Sequence, residues 1–82
     1  PDHSDLGITH HNLGRVYEAK DRASDLALKH YEKAIGIYMK SLPRDHPNIG
    51  MSLMYSAKVL CAQNKLSEAF NMAQEAVQIM TK

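Results

Sequence analysis

The chain is predicted to be all-α: two helix-turn-helix repeats whose four antiparallel helices make a short α-solenoid. Three observations predict it. Residues 2–8, Asp-His-Ser-Asp-Leu-Gly-Ile, are echoed by residues 45–51, Asp-His-Pro-Asn-Ile-Gly-Met, at a constant offset of 43. Ala27, Tyr31, Ala34 and Tyr38 are echoed by Ala69, Ala73, Ala76 and Met80 at an offset of 42. The second set steps at i, i+4, i+7 and i+11, which is one face of a helix, and nothing reads as a strand.

The elements follow in order. Leu6, Leu13, Gly14 and Tyr17 fall at helical spacing, with Asp5 suited to a first turn, and predict a helix over about 4–20. The polar residues 21–25 break it, and Ser24 is placed to cap the second helix, expected over about 24–41. Leu42-Pro43 ends that helix, because a residue before proline avoids helical angles and the ring cannot extend a helix interior. Asp45, as a capping residue ahead of Pro47 in the first turn, starts the third helix over about 46–63. Lys58 is its sole charged residue at neutral pH, so it is expected to be flanked on more than one side. Asn64-Lys65 forms the next turn, and the fourth helix runs over about 67–81.

First helices match at 43 and second helices at 42, so the turn after the first helix holds one residue more than the turn after the third. Loop tips tolerate that difference, whereas helices would lose their facing. The repeats are therefore 1–43 and 44–82, joined at residues 41–51, where Pro43 stops one pair and Pro47 starts the next. The echo at residues 2–8 puts residue 1 at a repeat boundary, as a cut between modules would. Glycine inside a helix costs roughly 1 kcal/mol against alanine, so Gly7, Gly14, Gly36 and Gly50 are expected where helices approach closely. Tyr31 and Tyr38 are expected to fill the first repeat, and Leu60, Phe70 and Met80 the second.

Composition narrows the function. A chain of 82 residues is at most one small domain and buries only about 60 to 65% of its unfolded surface. Ten Lys and Arg against nine Asp and Glu leave a net charge of +1, which argues against nucleic acid or a membrane surface as partner. One cysteine, Cys61, excludes an internal disulfide framework, no run spans a membrane, and Pro1 opens no signal-peptide pattern. The expected compartment is reducing, the cytoplasm.

Leu13-Gly14-Arg15-Val16-Tyr17 followed by Ala27-x-x-x-Tyr31-x-x-Ala34 resembles the tetratricopeptide repeat pattern. The period near 42 and the phrase Ser41-Leu42-Pro43-Arg44-Asp45-His46-Pro47 look more like the kinesin light chain branch of that family than its 34-residue form. The second repeat departs from the pattern, with Ser56-Ala57-Lys58-Val59-Leu60 in place of the leucine, glycine and tyrosine. The start His46-Pro47-x-x-Gly50, with its Met-rich helix, also resembles the helical tail of some SET-domain methyltransferases, a likeness that brings no catalytic residues.

In such solenoids the first helix of each pair lines a concave groove. Its expected peptide-binding residues are Ile8, His11, Asn12 and Arg15 on the first helix, with Glu18 at its edge, and Met51, Met54, Tyr55 and Lys58 on the third. Arg15 and Lys58 stack as two positive heads, and Ile8 and Met51 as two apolar contacts. The resemblance implies that Asn12, just before Leu-Gly, binds a peptide backbone, while Tyr55 departs from the matching slot. The implied partner is a protein or peptide, acidic with large apolar anchors.

Plainer roles stand beside these. Arg15 and Lys58 as a solvated face are worth under about 1 kcal/mol. Methionines at helical spacing fill cores, and Cys61, without a His or Asp pattern around it, reads as a buried or half-buried structural thiol. His10 and His11 diverge by about 100 degrees on a helix, and His3, His30 and His46 lack an i, i+4 histidine, so no metal site is expected. No cofactor and no enzymatic activity are expected either. The leading function is a protein-protein interaction module, part of an adaptor or scaffold. Its rival is a solenoid segment used for self-association or intramolecular packing: with Leu66, Phe70, Val77 and Ile79 left partly bare, the repeat ends favour a homodimer or a domain swap.

Overall fold

A computed structural model describes residues 4–20 and 23–80. The Asp2-His3 part of the first echo, the Asp21-Arg22 half of the first turn and the Thr81 end expected for the fourth helix lie outside the described residues. Four helices make up the fold: α1 Ser4–Glu18, α2 Ser24–Ser41, α3 Pro47–Ala62 and α4 Leu66–Met80. No strand occurs among the described residues. α1 packs on α2, α3 packs on α4, and α2 joins the two hairpins by packing on α3. This is the all-α, helical-hairpin architecture the repeated phrases predict. Its Cα envelope is 34 × 25 × 14 Å, a slab thin enough that no helix is enclosed on all sides.

The junctions between helices explain themselves locally. Leu42 is extended, at φ −129° and ψ 157°, because Pro43 follows, and its N–H donates to the Tyr38 carbonyl at 2.8 Å to close α2. Pro47 occupies the first turn of α3, where its missing N–H costs nothing. The cap is His46 and not Asp45: the Asn48 N–H donates to His46 Nδ1 at 3.1 Å. Ser24 is likewise no cap. It is the first residue of α2, after Ala23, and its hydroxyl accepts from Gln63 Nε2 at 3.1 Å, while the same amide donates to Asp25 Oδ1 at 2.7 Å. The Gln63 side chain thus ties the end of α3 to the start of α2. α3 ends in a Schellman turn, with Asn64 left-handed at φ 65°, its N–H on the Cys61 carbonyl and the Lys65 N–H on the Leu60 carbonyl.

The first hairpin is closed by tyrosine rings lying on glycines. Tyr31 and Tyr38 are fully buried, and a β-carbon added at Gly14 or Gly7 would stand 2.6 Å from their ring carbons. This geometry overturns the facing expected for α1. Its buried residues are Ser4, Gly7, His11 and Gly14, while Leu6 and Leu13 are 50% and 36% exposed. The rings of α2 occupy the space that leucines of α1 would have taken. Gly36 corrects a second expectation: it is exposed, with nothing within 4 Å of where its β-carbon would be, so close packing explains three glycines and not the fourth.

The core continues across the hairpins. Ala34, Ile35 and Tyr38 of α2 meet Ile49 and Leu53 of α3 and Ala76 of α4, and Val59 of α3 joins Ala27 and Tyr31. Ala57, Leu60 and Ala69 close the second hairpin. Phe70, expected to supply bulk there, is instead 62% exposed on the outer side of α4.

Candidate functional site

The facing sides of α1 and α3 line a continuous groove in two sections. Ile8, His11, Asn12, Arg15, Asn48 and Met51 line one section, of about 260 Å³. Arg15, Glu18, Ala19, Tyr55 and Lys58 line the other, of about 410 Å³. Repeat geometry causes the pairing: α3 lies beside α1, and its contacts join residues 40 to 44 apart, His11 with Ser52 and Tyr55, Arg15 with Tyr55 and Glu18 with Lys58. Ile8 and Met51, both exposed, form the apolar end. Seven of the eight expected groove residues share this surface. Met54 does not; it lines a neighbouring groove with Ala57, Cys61, Ala69 and Ala73, which shares Tyr55 and Lys58 with the first.

His11 departs from the expectation of an exposed contact. It is buried between α1 and α3, with Nδ1 and Ser52 Oγ 2.9 Å apart in a hydrogen bond. Its ring packs against Tyr31 and Tyr55 at centroid distances of 5.3 and 5.0 Å. Burial first, and the nearby Arg15 second, hold its pKa below the ordinary 6.5, with Glu18 opposing. The imidazole is accordingly a neutral floor to the groove.

The charged end carries three ionic groups. Arg15 stands 5.7 Å from the centroid of the Tyr55 ring, a cation–π contact. Lys58 Nζ pairs with Glu18 Oε2 at 3.1 Å, and the Tyr31 hydroxyl donates to Glu18 Oε1 at 2.6 Å. Burial and that bond to a carboxylate push the Tyr31 phenol well above its usual range. Glu18 therefore takes up Lys58, and Arg15 is the cation left facing the groove on a ring. The stacked pair of positive heads becomes one cation on a ring and one paired with an anion. Glu18 is the residue that sequence reasoning placed only at the groove's edge. Its role depends on the Tyr31 hydroxyl thirteen residues away, a contact helical periodicity does not reveal.

Two further findings lay outside the sequence reading. His10 and His30 stack at 5.3 Å with their Nδ1 atoms 3.1 Å apart, and Tyr17 stacks on His30 at 5.4 Å. Cys61 is exposed and not the buried or half-buried thiol expected, because it stands on the outer side of α3 and lines the second groove. Among the described residues no three His, Cys, Asp or Glu side chains gather as a metal would need, and no helix is long and apolar enough to cross a membrane.

The sequence comparison decides the family. A family model described as Tetratricopeptide repeat matches residues 5–82, which takes in all four helices but for Ser4 at the start of α1. The chain belongs to the tetratricopeptide repeat family. No curated protein and no solved structure matches it. Tetratricopeptide repeats are in general non-catalytic modules for protein-protein interaction.

Proposed function

We propose that this chain binds a partner peptide, acidic with large apolar anchors, along the α1–α3 groove, as part of an adaptor or scaffold. The observation that carries the reading is the lining of one groove by an apolar end and a cationic end: Ile8 and Met51 at one, Arg15 on Tyr55 and Lys58 on Glu18 at the other. Asn12 lies between them, exposed, with an amide that both donates and accepts toward a peptide backbone. An acidic side chain of the ligand pairs first with Arg15, which has no carboxylate partner among the described residues, and competes with Glu18 for Lys58. The two repeats, 1–43 and 44–82, each give their first helix to this groove. The period of 42 to 43 supports placing them in the long-period, kinesin light chain-like branch, and the cytoplasm is the compartment that fits a single unpaired cysteine.

The test is a panel of fluorescent peptides carrying acidic and large apolar residues, titrated against the chain and against the double variant Arg15→Glu, Lys58→Glu. Both side chains project from the surface, so helicity by circular dichroism should be unchanged. Binding should weaken by tenfold or more, about 1.4 kcal/mol, and fall with added salt. Undiminished binding by the folded variant would sink the reading.

A further inference from the structure

The internal repeat shows what fills a hairpin's outer seat. In the first hairpin the seat is made by His11 and Gly14 of α1 with Ala27 and Tyr31 of α2, and α3 covers it: Ser52 bonds His11, Val59 packs with Ala27 and Tyr31, Ile49 packs farther along on Ala34 and Tyr38, and these three and Ser56 are each 2% exposed or less. Moved on by the repeat offsets, the seat becomes Met54 and Ala57 of α3 with Ala69 and Ala73 of α4. These four residues line an apolar groove of about 510 Å³ in the second hairpin.

The filling face also has a counterpart. Moved back by 43, Ile49, Ser52, Ser56 and Val59 become Leu6, Thr9, Leu13 and Val16. All four are exposed on α1, Leu6 and Val16 by half or more. The chain therefore carries an open seat at one end and, at the other, a helix face of the kind that fills such a seat. The sizes correspond too. Ala73 stands where the first seat has Tyr31, leaving more room, and Leu13 stands where α3 has only Ser56, bringing more bulk.

We propose that a second copy of this chain docks the Leu6, Leu13 and Val16 face of its α1 into the α3–α4 seat, repeating the contact α3 makes within one chain. The contact is heterologous, so a stack of any length leaves one seat and one α1 face free, and copies add head to tail. The seat shares Tyr55 and Lys58 with the peptide groove but is otherwise lined by other residues, so this proposal does not depend on peptide binding.

Sedimentation velocity from micromolar to millimolar concentration tests it. The average mass should rise continuously past that of a dimer. A head-blocked variant, Leu6→Glu with Val16→Lys, and a seat-blocked variant, Met54→Glu with Cys61→Lys, change exposed residues and should stay folded by circular dichroism. Each alone should remain a monomer, and an equimolar mixture should form a dimer and stop there. A wild-type chain that stays monomeric throughout the range would overturn the proposal. So would a head-blocked variant that still dimerises, as a two-fold contact or an exchanged helix would give. The wild-type result stands whatever a variant does to folding.

Discussion

The first hairpin packs a tyrosine ring on a glycine twice, Tyr38 on Gly7 and Tyr31 on Gly14, whereas the second closes on alanines and leaves its one phenylalanine facing outward. The face positions of α2 and α4 recur at one offset, yet burial differs because the first hairpin has a neighbour on its outer side and, among the described residues, the second does not. Leu28 and Ile35 of α2 lie against the second hairpin's residues; Phe70 of α4, at Leu28's place in the repeat, is 62% exposed. In a stacked fold, an apolar position acquires its stabilising value from the next module as much as from its own.

The sharpest way to break that comparison is to truncate one aromatic in each hairpin. Tyr31→Ala removes a fully buried ring and should cost about 3 to 5 kcal/mol, enough to lower the urea midpoint severely in a domain this small. Phe70→Ala should stay within about 0.5 kcal/mol of wild type at concentrations where the chain is monomeric. Equal losses from the two would mean that the second hairpin has a core of its own.

Glycines give the next largest contrast. At Gly14 a methyl group meets the Tyr31 ring at 2.6 to 3.0 Å, so Gly14→Ala forces ring or helix to shift and should destabilise by about 1 to 3 kcal/mol. At Gly36 nothing lies within 4 Å, and Gly36→Ala should stabilise by about 0.5 to 1 kcal/mol through helix propensity alone. Thermal unfolding of both variants should show shifts of opposite sign.

The smallest effect is electrostatic and belongs to the first hairpin alone. His11 and His30 both have pKa values lowered from 6.5 in the folded chain, with burial the first cause in each; Arg15 adds to it at His11, and His10 with two lysines at His30. Below the unfolded value the unfolded chain therefore binds more protons than the folded one. Their contribution is complete above about pH 6.5 and is lost as pH falls toward the folded values. Urea midpoints should decline between about pH 7.5 and about pH 5.5, and His11→Gln should flatten that decline. A midpoint rising toward acid pH would contradict the burial of these rings.

Helices and their pairing were legible because two phrases recur and because Ala27, Tyr31, Ala34 and Tyr38 lie on one face, all of them buried. What escaped involved partners on different helices. Leu6 and Leu13 read as a packing face, but a pattern of apolar residues cannot show that rings from α2 already fill the space above Gly7 and Gly14. Ser24 and Asp45 are good capping residues by type. Yet Ser24 is claimed by the Gln63 amide, and the chain ahead of Pro47 turns one residue later, at His46. In the groove, side-by-side placement of Ile8 with Met51 followed from the offset of 43. The burial of His11 did not, since a ring bonded to Ser52 and set between two tyrosines looks, in sequence, like any polar residue of an exposed face.

Cys61 gives the assembly a chemical handle. It is the chain's one cysteine, its thiol is exposed, and it lines the α3–α4 seat and no part of the α1 face. A maleimide can therefore modify only the receiving end. The adduct occupies the seat while α1 stays able to dock, so an alkylated copy joins a growing stack at one end and stops it. Labelling speed then serves as a gauge of assembly: thiols covered by a neighbour's α1 react slowly, and the slow fraction rises with protein concentration.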